Sequence, residues 1–236
     1  MLERESISKK LFRIKSEFII DFLENKINLE NFKAIEIFGG EGVNDSIFSK
    51  YAKYFEIWEI DSSLESELNK NVPNAKIKFC DSIKTLNENN DFGFFDLILI
   101  DNPMSVFGEK LEYCEHFDVI KNISKLIDKE AIIIFLVNKK PFFKKNQQKN
   151  IFWKKRRKMF YGNLDTTDLS IDFLLNFYKE LFRSFGFDTV ISKNIPRHTP
   201  HLDYLIFKLK RKNVNDNKKI KHIDWISLIP FLNRKE

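Results

Sequence analysis

Cysteine and long apolar runs are both scarce in this chain. Only Cys80 and Cys114 occur among its 236 residues, and two thiols provide neither a disulfide framework nor the four ligands of a structural zinc site. The apolar stretch 18–20 is soon followed by charged side chains, so no run is long enough for a signal peptide or a membrane span. We therefore expect a protein of a reducing compartment and place it in the cytoplasm.

Histidine is also rare, with four in the chain. His198 and His201 have a spacing that occurs in metal sites, but no third and fourth ligand accompanies them at a suitable distance. We interpret the pair as part of a hairpin loop and expect no metal ion. The sequence contains no internal repeat, and a hydrophobic content of 43% is ample for the core of one domain.

Basic residues are concentrated in two stretches, although the net charge is only +6. Residues 138–164 contain ten Lys or Arg and no acid, and residues 208–236 contain nine basic and three acidic side chains. The rest of the chain is therefore net negative. A local excess of positive charge is what an anionic partner requires, while biased codon usage would also produce a chain rich in Lys, Asn, Ile and Phe.

Three of the seven glycines lie between residues 39 and 42, directly after the largely apolar run 34–38. Asn44 and Asp45 then suit a helix N-cap, and apolar side chains at helical spacing follow over 47–51. This pattern predicts a strand, a tight loop and a helix. Glycine lets the backbone pass close to a ligand, and the free N–H groups at a helix start face the same point.

A second predicted strand, 55–60, follows and ends in the acids Glu59 and Asp61. A carboxylate at this place can accept hydrogen bonds from the diol of a ribose. Together with the glycine loop, it suggests a ligand that contains a nucleoside.

The rest of the chain alternates between strand and helix patterns. Further strands are predicted at 75–79, 94–100, 131–137, 189–195 and 204–209, and helices at 7–27, 62–68, 83–86, 116–127 and 164–185. This alternation favours an open parallel sheet with its ligand at the carboxyl ends of the strands. The last two strands are separated by a short connection that includes residues 196–201, which is too short for a parallel crossover, so we expect them to be antiparallel.

These features resemble the class I S-adenosylmethionine-dependent methyltransferases over roughly residues 34–209. In that family an acid precedes glycines in a G-x-G-x-G frame; here Glu36 takes the acid position, Gly40 and Gly42 the last two glycine positions, and Phe38 the first. The resemblance implies an α/β fold: a Rossmann-like seven-stranded, mostly parallel sheet with a closing antiparallel hairpin and helices on both faces. We expect a helical cover at 1–30, the cofactor-binding domain at 31–209 and a basic tail at 210–236.

The resemblance also implies the cofactor, S-adenosylmethionine, and roles for three acids. Glu59 matches the acid that binds the ribose hydroxyls, Asp81 matches the residue that meets the adenine amino group, and Asp101 lies near the transferring methyl. The residues expected to bind the cofactor are Glu36, Phe38, Gly39, Gly40, Glu41, Gly42, Glu59, Ile60, Asp81, Ser82 and Asp101.

Two departures from family motifs limit what can be transferred. The Phe-Gly-x-Gly form of the loop resembles that of some nucleic-acid pyrimidine methylases, but Met104 stands where the DNA cytosine enzymes carry their cysteine, so their covalent mechanism is not available. Residues 101–104 match only half of the Asp/Asn-Pro-Pro-aromatic motif of amino-methylating enzymes, because the second proline and the aromatic residue are missing. Neither activity is carried over.

Catalysis requires alignment of the acceptor with the methyl group and, for a hydroxyl or a protonated amine, a base. Asp101 and His116 are the candidate bases; the alternative for His116 is an exposed residue at a helix start. Segment 152–161 interleaves basic and aromatic residues and could hold a phosphate backbone, or it could be a lid over the cofactor. The residues expected to bind the acceptor are Asn102, Lys154, Arg156 and Arg157.

Three functions fit these observations. The first is methyl transfer to an O or N atom of a small polar or anionic acceptor, such as a saccharide or a phosphorylated metabolite, because the chain is short for a separate target-recognition domain. The second is RNA or DNA methylation through the basic segment 139–158. The third is a cofactor-binding module without catalysis, which the irregular Phe38 suggests. The oligomeric state is left open.

Overall fold

The computed structural model describes residues 31–42, 48–89, 92–101, 105–141, 147–162, 164–197 and 199–212. The expected helix 7–27, most of the tail 210–236, Asn102 and His198 lie outside these ranges. Within them the strands are β1 (Lys33–Ile37), β2 (Tyr54–Glu59), β3 (Lys76–Phe79), β4 (Leu97–Ile100), β5 (Val106–Phe107), β6 (Tyr113–Cys114), β7 (Glu130–Asn138), β8 (Phe187–Pro196) and β9 (Leu202–Arg211).

Seven of the strands form one sheet in the order β3-β2-β1-β4-β7-β9-β8. The pairs among β3, β2, β1, β4 and β7 are parallel, whereas β9 runs antiparallel to both β7 and β8. The predicted fold class, including the closing hairpin, is therefore confirmed. The small antiparallel pair β5–β6 follows β4 and has no counterpart among the predicted strands.

The helices are α1 (Glu65–Asn71), α2 (Ser82–Glu88), α3 (Phe117–Ile120), α4 (Gln147–Phe160) and α5 (Ile171–Ser184). Two of these helices begin later than their predicted ranges. Residues 62–64 form a 3₁₀ turn before α1, and Asp61 caps this turn by accepting the Ser63 N–H. The helix predicted from residue 164 begins seven residues later, because the Ser170 hydroxyl accepts the Phe173 N–H at 3.1 Å.

One other predicted helix is divided in two, and only the later part of another lies within the described residues. The helix expected over 116–127 is divided into α3 and a 3₁₀ turn, Ile123–Leu126. Where a helix was predicted after the glycine loop, the described residues form a 3₁₀ turn at Phe48–Lys50, close to the start of β2. None of the helices in the described ranges is both long and apolar enough to cross a bilayer.

Apolar side chains cover both faces of the central strands, as their nearly continuous apolar sequences predict. On one face, Ile133, Phe135 and Phe207 pack with side chains of α5 such as Tyr178 and Phe182. On the other face a second cluster contains β1, β2, β4, β7 and β9 side chains together with Leu68 of α1. Burial of each such side chain contributes about 1.5–3 kcal/mol, which fixes the strand ends on which the site is built.

Candidate functional site

The glycine loop leaves β1 at the carboxyl edge of the sheet and folds back onto β2. The N–H groups of Phe38 and Gly39 both donate to the Trp58 carbonyl at 3.1 Å, and the Gly42 N–H donates to the Gly39 carbonyl at 3.0 Å. A Cβ on residue 39 would lie 2.2 Å from Cγ2 of Ile57, so only glycine fits there. The loop is thus a tight turn packed directly on the neighbouring strand.

Phe38 occupies the first glycine position of the family pattern and keeps the backbone conformation that glycine adopts easily. Its φ is +69°, in the left-handed region that costs a residue with a side chain about 1–2 kcal/mol. Its ring meets Phe107 of β5 edge to face, with ring centroids 6.0 Å apart. Phe38 therefore adopts the left-handed conformation at this position and places an aromatic ring beside the loop.

Glu59, the acid at the end of β2, is buried and holds the glycine loop. Its carboxylate accepts the Gly40 N–H at 2.7 Å through Oε2, and the Ile60 and Asp61 N–H groups at 2.7 and 2.8 Å through Oε1. A carboxylate has about four acceptor positions, so these three bonds leave room for about one more donor. A ribose hydroxyl that approaches the loop would find that position on Oε2.

The ends of β2 and β3 meet beside Glu59. The Cys80 N–H donates to the Glu59 carbonyl at 2.8 Å, and Asp81 then caps α2 by accepting the Ile83 and Lys84 N–H groups at 3.0 Å through Oδ1. Ser82 is buried in the first turn of α2, and burial raises the pKa of the Cys80 thiol. Ile60 is 70% exposed at the same edge, which leaves its side chain accessible to an adenine ring.

Asp101, which follows β4, is engaged by two residues that the sequence did not single out. Its Oδ2 accepts the Tyr204 hydroxyl at 2.9 Å, and Nη1 of Arg197 lies 3.4 Å from Oδ1. Its own N–H donates to the buried Glu36 carboxylate at 3.4 Å. Burial, and then the charge of Asp101, raises the pKa of Tyr204 well above its ordinary value, so the phenol remains a donor.

His116 lies at the start of α3, as expected, but it is 0% exposed. The alternative that it is an exposed residue is therefore wrong. Its Nε2 is hydrogen-bonded to the Tyr178 hydroxyl, its ring centroid lies 4.8 Å from that of Phe135, and burial, followed by the charge of Arg157, lowers its pKa to about 3. An uncharged imidazole in the core suits a structural role, which leaves Asp101 as the candidate base.

Arg157 of α4 is also fully buried, which makes it unsuitable as the acceptor-binding residue that the sequence suggested. Its Nη1 lies 2.7 Å from Oε1 of Glu115, and its Nη2 donates to the Lys139 carbonyl at 3.3 Å. Trp153 donates to the same Glu115 oxygen at 2.7 Å. The basic helix is therefore attached to the body of the domain through an internal ion pair rather than resting on it as an amphipathic cover.

Other basic residues of α4 face outward to different degrees. Arg156 is half-buried and its Nε donates to the Leu111 carbonyl at 2.9 Å, which joins α4 to the connection between β5 and β6. Lys154 is half-buried as well, while Lys149, Lys155 and Lys158 are exposed. The helix contains no acidic residue, so its outer surface is positively charged.

Four features together define the fold class of this protein. They are the parallel sheet, the closing antiparallel hairpin, the glycine loop after β1 and the acid that ends β2. The described part of the chain has the fold of the class I S-adenosylmethionine-dependent methyltransferases. No protein-family model matches the chain. It is 25% identical over 234 residues to the ribosomal RNA small subunit methyltransferase A of Mycoplasmopsis synoviae (strain 53), a match that covers 99% of this chain and 79% of that protein.

Solved structures of the same fold are more distant in sequence. The N-methyltransferase NodS of Bradyrhizobium japonicum WM9 matches with a TM-score of 0.54 and 10% identity, over 86% of this chain and 98% of that one. The magnesium protoporphyrin IX methyltransferase of Synechocystis PCC 6803, with bound S-adenosylhomocysteine, matches with a TM-score of 0.52 and 13% identity, over 86% of each chain. At such identities the likeness concerns the fold.

Proposed function

We propose that this protein is an S-adenosylmethionine-dependent methyltransferase that acts on RNA. The observation that carries the methyltransferase assignment is the convergence of the glycine loop, Glu59, Asp81 and Asp101 at the carboxyl ends of four neighbouring strands. In open α/β sheets, ligands bind at this edge. When bound, the cofactor supplies an electrophilic methyl group on a sulfonium sulfur.

The residues present fit the parts of that cofactor. The glycine loop brings backbone close to the ligand, the remaining acceptor position of Glu59 suits a ribose hydroxyl, and exposed Ile60 suits the adenine ring. Asp81, next to Ile60 in space through the pairing of β2 with β3, would accept from the adenine amino group. Each of these contacts is available at the same edge of the sheet.

Asp101 is the residue we assign to the acceptor. Methyl transfer needs the acceptor atom in line with the reacting methyl, and a carboxylate that accepts an N–H or O–H of the acceptor fixes that direction. The same carboxylate can take the proton that the acceptor loses. Its place after β4, next to Glu36 of β1, puts it beside the loop that would hold the cofactor.

RNA is favoured as the acceptor by two observations. The ribosomal RNA methyltransferase of Mycoplasmopsis synoviae matches 99% of the chain, and exposed Lys149, Lys155 and Lys158 lie on a helix without acids. Lysines of this kind bind phosphates through charge and make binding dependent on salt. A small polar or anionic acceptor is the second candidate, favoured by the internal engagement of Arg156 and Arg157, which removes two cations from an RNA-binding surface.

Calorimetric titration with S-adenosylhomocysteine tests the cofactor site. We expect binding by the natural protein, at least tenfold weaker binding by Glu59→Gln, and unchanged binding by Glu67→Gln, an exposed acid of α1. Transfer of a labelled methyl group to small-subunit ribosomal RNA then tests the acceptor. Binding without transfer to RNA, but with transfer to a phosphorylated small molecule, would favour the second candidate; folded protein that binds no cofactor would refute both.

A further inference from the structure

We infer that Arg197 and Tyr204 are positioning residues that hold the Asp101 carboxylate toward the acceptor; this inference rests on the proposed function. The two residues belong to the closing hairpin, Arg197 directly after β8 and Tyr204 within β9. Asp101 follows β4, which is separated from β9 by β7 in the sheet. The hairpin therefore reaches the candidate base across one intervening strand.

Each partner engages a different oxygen of the carboxylate. Arg197 lies against Oδ1 and Tyr204 donates to Oδ2, so the two contacts together fix both the position and the plane of the group. A carboxylate that is held through both of its oxygens has a defined orientation, which is the property a residue needs in order to align an acceptor.

The three side chains form a largely desolvated set. The side chains of Arg197 and Asp101 are 14% and 12% exposed, and Tyr204 is 3% exposed. The guanidinium also lies over the Tyr204 ring, with its carbon 5.6 Å from the ring centroid. Charged hydrogen bonds in such surroundings are stronger and less mobile than those of surface ion pairs, which supports a role in orientation.

The phenol is suited to this role throughout the working pH range. Burial and the neighbouring charge of Asp101 raise the pKa of Tyr204 well above its ordinary value, and the buried Glu36 carboxylate adds to the effect. Tyr204 therefore stays protonated and donates to Asp101 without competing for a proton. Arg197 is always charged, so both partners keep their protons and remain donors to Asp101 when the acceptor binds.

The alternative is that the cluster only stabilises the hairpin, and kinetics separates the two roles. We expect Arg197→Gln and Tyr204→Phe each to lower kcat for methyl transfer to RNA about tenfold, with KM for RNA and binding of S-adenosylhomocysteine changed less than about threefold. Arg197→Lys should recover at least about a third of kcat, because the charge is kept. Arg183→Gln, which removes an exposed arginine of α5, is the matched control and should leave kcat unchanged.

A double variant that combines Arg197→Gln with Asp101→Asn tests whether Arg197 affects kcat through Asp101. If Arg197 acts through Asp101, the double variant should have the kcat of Asp101→Asn alone. The inference would be overturned if the two substitutions lowered kcat independently, so that their separate fold-losses multiplied in the double variant, or if Arg197→Gln kept the full kcat. Unfolding in urea gives a readout independent of activity: we expect Arg197 and Asp101 to be coupled by about fivefold in the unfolding equilibrium constant.

The two readouts distinguish the failure of this inference from the failure of the proposed function. Coupling in urea together with a natural protein that binds no cofactor and methylates no acceptor would refute the proposed function, and the positioning role with it. Absence of coupling in urea, alongside normal methyl transfer by the natural protein and by Arg197→Gln, would refute the positioning role and leave the methyltransferase intact.

Discussion

Glu115 and Arg157 form an ion pair that is closed to solvent, with Nη1 2.7 Å from Oε1 and both side chains 0% exposed. The pair joins the connection after β6 to the last turn of α4, and Trp153 donates to the same carboxylate oxygen. Either charge alone would destabilise the folded protein, because it would be buried away from water without a partner of opposite charge. The attachment of the basic helix therefore depends on both residues together.

Removal of one member of this pair should destabilise the domain strongly. We expect Arg157→Met to lower the free energy of unfolding by about 3–5 kcal/mol, because Glu115 is then left buried without its cation. Urea unfolding followed by circular dichroism measures the change. The exposed pair of Arg183 and Glu180 is the control, and Arg183→Gln should cost less than about 1 kcal/mol. Equal effects of the two substitutions would contradict the buried position of Arg157.

The glycine loop predicts a contrast between two glycines. Gly39→Ala should destabilise the protein by about 1–3 kcal/mol and weaken binding of S-adenosylhomocysteine, because the new methyl would lie 2.2 Å from Cγ2 of Ile57, a branched core side chain that cannot move away easily. Gly93→Ala meets nothing within 4 Å and should be close to neutral. Thermal unfolding with and without ligand measures both effects. A neutral Gly39→Ala would show that the loop does not pack on β2.

Stability should fall in acid through His116. Its pKa is about 3 in the folded protein and near 6.5 when unfolded, so the unfolded state binds one more proton between these values. The free energy of unfolding should therefore decrease as the pH falls below about 6.5, by up to about 1.4 kcal/mol per pH unit from this residue alone. Urea unfolding at several pH values, compared with His116→Gln, isolates the contribution. An unchanged slope in the variant would argue against burial of the imidazole.

The exposed lysines of α4 should control binding of RNA and not of the cofactor. With Lys149, Lys155 and Lys158 all changed to Gln, we expect weaker RNA binding and a smaller dependence of the binding constant on salt, because about three phosphate contacts are lost. Filter binding over a range of salt concentrations measures both. A control variant in which three exposed lysines elsewhere, at positions 70, 129 and 210, are changed to Gln has the same net charge as the α4 variant and should bind RNA almost as well as the natural protein. Equal losses of RNA binding in both variants would show that binding depends on the total charge of the protein and not on the lysines of α4.

The sequence predicted the position of those residues of the candidate site that depend on local order along the chain. Glu59 and Asp81 end strands whose apolar patterns are clear, so their place at the carboxyl edge follows from the parallel sheet. The contact of Asp101 with Arg197 spans 96 residues and depends on the register of the closing hairpin, which no local pattern reveals. Likewise, the sequence around Arg157 predicts a surface cation, because its ion-pair partner Glu115 lies 42 residues away in the chain.

The position of the closing hairpin in the chain has a consequence for biosynthesis. A ribosome makes the glycine loop, Glu59 and Asp101 well before Arg197, and at about 5–20 residues per second the 96 residues between Asp101 and Arg197 take about 5–20 s. During that interval the nascent chain carries the residues assigned to the cofactor while Asp101 lacks both of its hairpin partners. The order of synthesis thus separates in time the synthesis of the residues assigned to the cofactor from the synthesis of the residues that orient Asp101.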